Sequence, residues 1–401
     1  MTQKVMLSDL FKIGSSKRVL KAQWQTSGVP FYRGREITKL SQNGFVDNDL
    51  FISEELYAEY ATKHGVPTAG DIVITAIGTI GNSYIVREED RFYFKDASVL
   101  WLKRTSDVES KYINLWLKSS LMREQLDEGN GATVDTLTIK KLQGLTLDIP
   151  PVPEQKRIVA LLDTVFADLE QTRAKTEQNL KNAAELFDSY LNDAFENNFS
   201  GVEHDSLNDI CELIVDCEHK TAPKQETGYP SIRTPNIGKG VLILEGVNRV
   251  SEETYITWTR RAIPQEDDLI LAREAPAGNI GVIPKNVKVC LGQRTVLIRP
   301  KKDKFLSKYL AFLILSQKVQ KQLLSHSTGA TVQHINMKDI RAFKIYNLPS
   351  LVEQQKVING IDKILKETKK LEAIYSQKID NLEELKKSIL QKAFSGELTH
   401  D

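Results

Sequence analysis

Two stretches of the chain carry apolar or small positions at steps of three and four over an unusual length. The first sets Ile158, Leu162, Val165, Leu169, Thr172, Thr176, Ala183, Phe187, Tyr190 and Ala194 on one stripe. The second sets Val357, Ile361, Ile364, Thr368, Leu371, Tyr375, Leu382, Leu385 and Ile389 on another. Heptad spacing sustained this far predicts a coiled-coil seam. No Gly or Pro interrupts the first run from Glu154 to Glu196, and only Gly360 interrupts the second. Each predicted helix spans roughly 60 Å at the α-helical rise. Pro151, Pro153 and Pro349 suit the starts, and Gly201 and Gly396 the ends. Helices of this length exceed what one globular core needs. The expectation is therefore an antiparallel pair acting as a spacer. Packing of each helix on its own domain is the alternative.

Between the long runs the pattern changes to short strands and turns. Asp71–Ile77 reads as a buried strand, followed by a turn at Gly78, Gly81 and Asn82 and a strand at Tyr84-Ile85-Val86. Val99–Leu102 is a further strand. Tyr112–Leu126 reads as a helix with Ile113, Trp116, Leu117 and Leu121 on one face.

The same order recurs later in the chain. Gly28–Arg33 matches Gly228–Arg233, and Asp71–Ile74 matches Asp268–Leu271. Gly81-Asn82 matches Gly278-Asn279, and Gly131-Ala132-Thr133-Val134 matches Gly329-Ala330-Thr331-Val332. The offsets stay between 197 and 200 residues, and Glu154 and Glu353 lie 199 apart. The chain is thus expected to hold two copies of one α+β (mixed α/β) domain with an internal pseudo-two-fold repeat. The boundaries fall at 1–150 for the first domain, 151–201 for the first long helix, 202–348 for the second domain and 349–401 for the second helix.

Charge adds little at first sight, because 54 basic and 53 acidic residues leave a net +1. Residues 201–348 nevertheless carry 21 basic against 16 acidic side chains, whereas 151–200 carry 5 against 9. The globular half-units are less acidic than the first helix, which weakly favours a polyanion partner. Met1–Leu10 does not read as a signal peptide, and no apolar run nears a membrane span. Three cysteines make no disulfide framework. A soluble cytoplasmic protein with no membrane association is expected.

Catalytic patterns are missing. Asp148-Ile149-Pro150-Pro151-Val152 departs from the Asn/Asp-Pro-Pro-aromatic pocket of an adenine methyltransferase and reads as a linker. No glycine-rich nucleotide loop follows a strand. Cys211, Cys217 and His219 fit no common zinc spacing, so no metal is expected. Asp216, Glu218 and Lys220 imitate a nuclease cluster only loosely, and nothing matches them in the first half.

Basic and amide side chains gather in the matched blocks. The candidates for DNA contact are Arg33, Arg35, Lys39, Gln42 and Asn43 in the first half and Arg233, Asn236, Lys239, Arg273, Gln293 and Arg294 in the second. Arg reads guanine and Asn or Gln reads adenine in the major groove, while Lys mostly holds phosphate. Each has the alternative role of a solvated or core-satisfying group. Arg33 and Arg233 stand out because they recur, although a shared Arg can equally hold the fold. The Gly-Ala-Thr-Val blocks read as turns with a helix cap rather than phosphate cradles.

Pro153-Glu154-Gln155-Lys156-Arg157-Ile158, Glu353-Gln354-Gln355-Lys356-Val357 and Leu390–Leu398 resemble the specificity (S) subunit of type I restriction–modification enzymes. Arg273-Glu274-Ala275-Pro276 and Cys290–Arg294 resemble that family's second-domain blocks. The first copy's ending is stretched at Phe195–Gly201. The resemblance implies two target recognition domains on double-stranded DNA, each reading part of a split asymmetric target, with half-sites ~10 bp apart. It implies two methylation (M) subunits and two restriction (R) subunits as partners. S-adenosylmethionine, ATP and Mg are expected on those partners and no cofactor on this chain, which by itself catalyses nothing. Leu161, Phe166, Leu186, Leu365 and Leu390 lie off the seam and are candidates for partner docking, or else widen the helix pair's own core. The rival readings are an unrecognised methyltransferase or nuclease, and a coiled-coil scaffold joining two protein-binding domains without DNA.

Overall fold

The computed structural model describes residues 2–127, 136–196, 204–324, 334–346 and 348–397. The Gly-Ala-Thr-Val blocks and Gly201 lie outside them. The chain divides into two units, 1–176 with 377–401, and 177–376. Each contains one mixed domain and a part of both long helices, Val152–Phe195 and Leu351–Phe394, of 44 residues each.

In the first unit the strands Gln3–Met6 and Thr146–Ile149 pair antiparallel and bring the two ends of the domain together. A four-stranded antiparallel sheet has the order Phe11–Gly14, Val99–Arg104, Ile72–Thr75, Ser83–Ile85. A smaller sheet sets Val29–Tyr32 between Phe51–Ile52, antiparallel, and Tyr93–Phe94, parallel. Side chains of a strand alternate between faces. Ile72 and Ile74 accordingly enter the core shared with helix Ser110–Leu117 and the long helices. Val73 enters the opposite core with Ile37, Tyr84 and Trp101. The uninterrupted apolar run in this strand follows from burial on both sides.

The second unit repeats this plan. His204–Ser206 pairs with Lys344–Tyr346, and Tyr229–Ile232 sits between Arg249–Val250 and Cys290–Leu291. The main sheet runs Cys211–Asp216, Thr295–Pro300, Leu269–Ala272, Ile280–Val282, and gains a fifth strand, Lys239–Val241. That strand stands where the first unit has the helix Gly34–Asn43. Leu269 and Leu271 face one core and Ile270 the other.

The aspartate that opens both matched strands has a structural task. Asp71 is buried and accepts from Trp101 Nε1 and the Arg104 N–H, each at 2.9 Å. Asp268 is buried and takes Arg299 in a two-pronged ion pair at 2.7 Å.

The long helices pair within each unit and also pack on its domain. In the first unit Ile158, Val159 and Leu162 share a core with Leu390, Ala393 and Phe394. Glu170 meets Lys386 at 2.8 Å, and Arg173 meets Glu383. Rising numbers on one helix meet falling numbers on the other, so the segments are antiparallel. In the second unit Phe187, Leu191 and Phe195 share a core with Ile358 and Ile361. Gly360 lies against Tyr190 there, since a Cβ would fall 2.5 Å from the Tyr190 hydroxyl.

Two expectations are corrected. Leu385 leaves the seam, at 47% exposure, and Tyr190 stands at its edge, 36% exposed against Gly360, while Leu390 and Leu191 are buried. A straight helix drifts against a strict heptad, so the buried stripe shifts over this length. The expected helix Tyr112–Leu126 is two helices, Ser110–Leu117 and Ser120–Asp127. Ser119 bonds the Trp116 carbonyl at 2.7 Å at the break, and Ser316 does the same to Leu313 in the second unit. Among the described residues no helix is long and apolar enough to cross a membrane.

Candidate nucleic-acid interface

Strand direction gathers one set of loops at one end of each main sheet. In the first unit Gly14 pairs with Trp101, Thr75 with Val99 and Ile74 with Ser83. The loops Ser15–Lys17, Ala76–Asn82 and Lys95–Ser98 therefore share an end. Arg33-Gly34 joins them, since a Cβ on Gly34 would lie 3.7 Å from the Ser98 carbonyl and 3.8 Å from that of Ile77. Thr38 and Thr79 share a hydrogen bond at 2.9 Å across the same cluster.

The second unit builds the equivalent cluster. Asp216 pairs with Val296, Ala272 with Thr295 and Leu271 with Ile280. The Gly292 N–H donates to Ile232 at 2.7 Å, as Lys95 donates to Tyr32 at 2.8 Å in the first unit. Ala97 and Arg294 stand at equivalent places and both have left-handed backbone, with φ of 59° and 68°.

The candidate side chains differ in what already holds them. Arg33 meets Glu36 and Asp49, each at 3.1 Å, and Arg35 meets them at 2.7 and 3.0 Å. Glu36 is only 1% exposed. Burial opposes its charge, but the bonds from Arg33 and Arg35 prevail and hold its carboxyl below the ordinary value. The two arginines are thus neutralised at their own loop. Lys39, Gln42 and Asn43 project into solvent from the following helix.

In the second unit Asn236 accepts the Arg233 backbone N–H at 3.2 Å. The Arg233 guanidinium is exposed and makes no internal bond among the described residues. It lines a small pocket with Lys224, Ser231, Asn248, Gly292 and Gln293. Gln293 also donates to the His219 carbonyl at 3.3 Å. Lys239 points away from this pocket to Asp188 of the long helix, at 2.5 Å. Arg294 is exposed and pairs with Glu274 at 2.7 Å.

Arg273 is not an available DNA contact. It is buried, bonded to Asp216 at 2.7 Å, to the Ile335 carbonyl at 2.9 Å and to His334 Nε2 at 2.9 Å. It joins the loops beneath the surface. The same cation disfavours a metal at Asp216, Cys217 and His219, whose ligand atoms lie within 4.8 Å of one another. Burial also pushes the Cys217 thiol up, toward its protonated form.

Sequence reasoning passed over Lys17, Lys95 and Lys224, and weighed Lys220 only as part of a nuclease-like cluster; all four are exposed in these loops. Their signal is position: Lys17 and Lys220 lie just beyond the first main-sheet strands, and Lys95 lies just before a central one. Among the docking candidates Leu161 and Leu186 are exposed, at 41% and 49%. Phe166 and Leu365 pack half-buried against the cores, and Leu390 is 8% exposed within one. Leu390 is therefore a core residue, because the helix pair turns that face inward.

The chain is thus a two-copy α/β protein with matching polar loop clusters and paired long helices. A sequence model of the type I restriction modification DNA specificity domain matches residues 2–180 and 200–384, and the chain belongs to that family. A protein of Haemophilus influenzae named as a type I restriction enzyme specificity subunit is 34% identical over 164 residues, 41% of this chain and 40% of that one. The EcoBI specificity subunit of Escherichia coli is 23% identical over 295 residues, 67% of this chain and 62% of that one. The chain thus spans less than two thirds of these two relatives. The MjaX specificity subunit of Methanocaldococcus jannaschii is 24% identical over 407 residues, 98% of this chain and 92% of that one.

Two solved chains share the fold. One, from a type I R-M system studied for complex assembly and conformational transition, has a TM-score of 0.73 at 18% identity, over 98% of this chain and 97% of its own. The HsdS subunit of Thermoanaerobacter tengcongensis has a TM-score of 0.57 at 17% identity, over the same shares of 98% and 97%.

Proposed function

We propose that this chain reads a split, asymmetric DNA target, one half-site per unit. The observation that carries the reading is the repeated loop cluster, built on one backbone plan and furnished with different side chains. Equal frames present the reading groups alike, and unlike groups read unlike bases. The near-neutral charge fits a subunit whose docked partners share the grip on phosphate.

Two methylation and two restriction subunits complete the proposed assembly in the cytoplasm. S-adenosylmethionine, ATP and Mg act on those partners, and this chain supplies specificity without catalysis. Exposed Leu161 and Leu186 are the remaining apolar docking candidates on the first long helix. The test is a map of modified adenines in the host genome with and without this gene. Loss of one split, asymmetric methylated motif on deletion supports the reading. An unchanged map, with no binding of the chain to its methylation subunit, refutes it.

A further inference from the structure

The two recurrent arginines look interchangeable in sequence, yet their surroundings differ at two matched positions. In both units the residue three places on accepts the arginine's backbone N–H. It is Glu36 in the first unit, at 2.9 Å, and Asn236 in the second, at 3.2 Å. Glu36 is long and charged enough to reach the Arg33 guanidinium as well, at 3.1 Å, and Asp49 adds a second carboxylate. Asn236 is shorter and neutral, and its amide donates instead to the Ile243 carbonyl at 3.5 Å. The Arg233 guanidinium is left without a carboxylate among the described residues.

The second difference lies beneath the side chain. The position that meets the preceding strand residue is Lys95 in the first unit and Gly292 in the second. A Cβ on Gly292 would fall 2.5 Å from Arg233 Cγ and 2.7 Å from the Ile232 carbonyl. The glycine makes the floor on which the arginine stem lies. The guanidinium then stands beside Lys224, Asn248 and Gln293, all able to donate hydrogen bonds.

We infer that the paired arginines have separate roles: Arg233 contacts a pair of acceptor atoms on DNA in its half-site, and Arg33 is a structural ion-pair residue of its loop. This rests on the DNA-reading function proposed above. A free guanidinium fits paired acceptors, either guanine O6 and N7 or two phosphate oxygens. The first unit then reads its half-site with other groups, of which Lys17, Lys39 and Lys95 are exposed and have ammonium groups that make no ion pair or hydrogen bond among the described residues.

The test uses the complex with the methylation subunits and the target taken from the adenine map. Arg233→Ala is expected to weaken binding roughly ten- to a hundredfold. Asn236→Glu restores the clamp of the first unit and is expected to cost a similar factor while the thermal unfolding midpoint is kept. Arg33→Lys is expected to lower that midpoint and leave affinity within about threefold. Single base-pair changes in the half-site separate the two acceptor sources. A base contact shows as loss of the Arg233→Ala effect at one altered pair, and a phosphate contact as an equal effect on every sequence. Wild-type affinity in both Arg233→Ala and Asn236→Glu overturns the inference, as does a tenfold loss in a folded Arg33→Lys protein. Failure of the wild-type complex to bind the mapped target overturns the proposed function and this inference together.

Discussion

The side-chain carbonyl of Gln155 accepts the backbone N–H of Glu109 at 2.9 Å, and its amide donates to Pro150 at 2.8 Å. Gln354 repeats this in the second unit, accepting from Leu306 at 2.8 Å and donating to Lys304 and Pro349 at 2.8 and 3.0 Å. Glu109 and Leu306 each precede a core helix, whose first N–H groups lack partners inside the helix. The Gln of the sequence motif is therefore a clasp between a long helix and its own domain, whereas Glu154 pairs with Arg157 and Glu353 with Ser350 at the helix start. Gln155→Ala and Gln354→Ala should each cost about 1–3 kcal/mol, because buried backbone groups lose their partners. Urea unfolding of the two variants measures this, and a loss below ~0.5 kcal/mol would refute the clasp.

Leu390 and Leu161 give opposite expectations although both lie off the heptad stripe. Leu390→Ala opens a cavity beside Ala393 and Phe394 and should destabilise by about 2–4 kcal/mol. Leu161→Ala should stay within about 0.5 kcal/mol, since that side chain faces solvent. The first unit holds Trp24, Trp101 and Trp116 of the four tryptophans, so fluorescence reports mainly its unfolding. If Leu161 docks a methylation subunit, its alanine variant should weaken co-purification without moving that transition.

The repeat and both long helices were legible because their signals are local or periodic. Matched blocks such as Asp71–Ile74 and Asp268–Leu271 kept one offset, and the apolar steps persisted over many turns. The interface residues were harder to read. Nothing in the spacing says that Arg273 is buried against Asp216, or that Glu36 clamps Arg33 while Asn236 frees Arg233. Those outcomes depend on partners drawn from loops 57 positions apart in the first case and on one methylene and one charge in the second. Burial of Leu390 in place of Leu385 was likewise hidden, because helix drift and domain packing decide it.

The cysteines should be chemically silent in the folded protein. Burial pushes the Cys211 thiol up to about 12, offset in part by Lys301. Burial pushes Cys290 up to about 11, offset in part by a hydrogen bond with Ser231. At pH 8 about one molecule in a thousand or fewer would carry either thiolate, which is the reactive form. Iodoacetamide should label Cys211 and Cys290 only after denaturation. Full labelling of the native chain within minutes would contradict the buried placement.

Arg273 supplies a test of structure against recognition. Its guanidinium ties Asp216, Ile335 and His334 together, so Arg273→Met leaves Asp216 without its main partner. Breaking a buried pair from one side costs about 3 kcal/mol. The expected result is a lowered unfolding midpoint for the second unit, followed by circular dichroism. A stable variant with altered sequence preference would instead make Arg273 a reading residue.

Acid should loosen the loop that holds Arg33. Burial works against the Glu36 charge, but its bonds from Arg33 and Arg35 hold the folded carboxyl below the ordinary value. A depressed folded value means that the unfolded chain takes up the proton first as pH falls. The stabilisation is therefore complete above the ordinary glutamate range, near pH ~4.3, and drains away below it. Glu36→Gln removes the charge at every pH. It should cost about 1–3 kcal/mol at pH 7 and flatten the decline between about pH 5 and 3. Asn236 stands at the matched place, so the matched loop of the second unit lacks this particular carboxylate. Tryptophan-monitored urea unfolding across that range would decide it: equal acid slopes in the wild type and the Gln variant would remove Glu36 as the source.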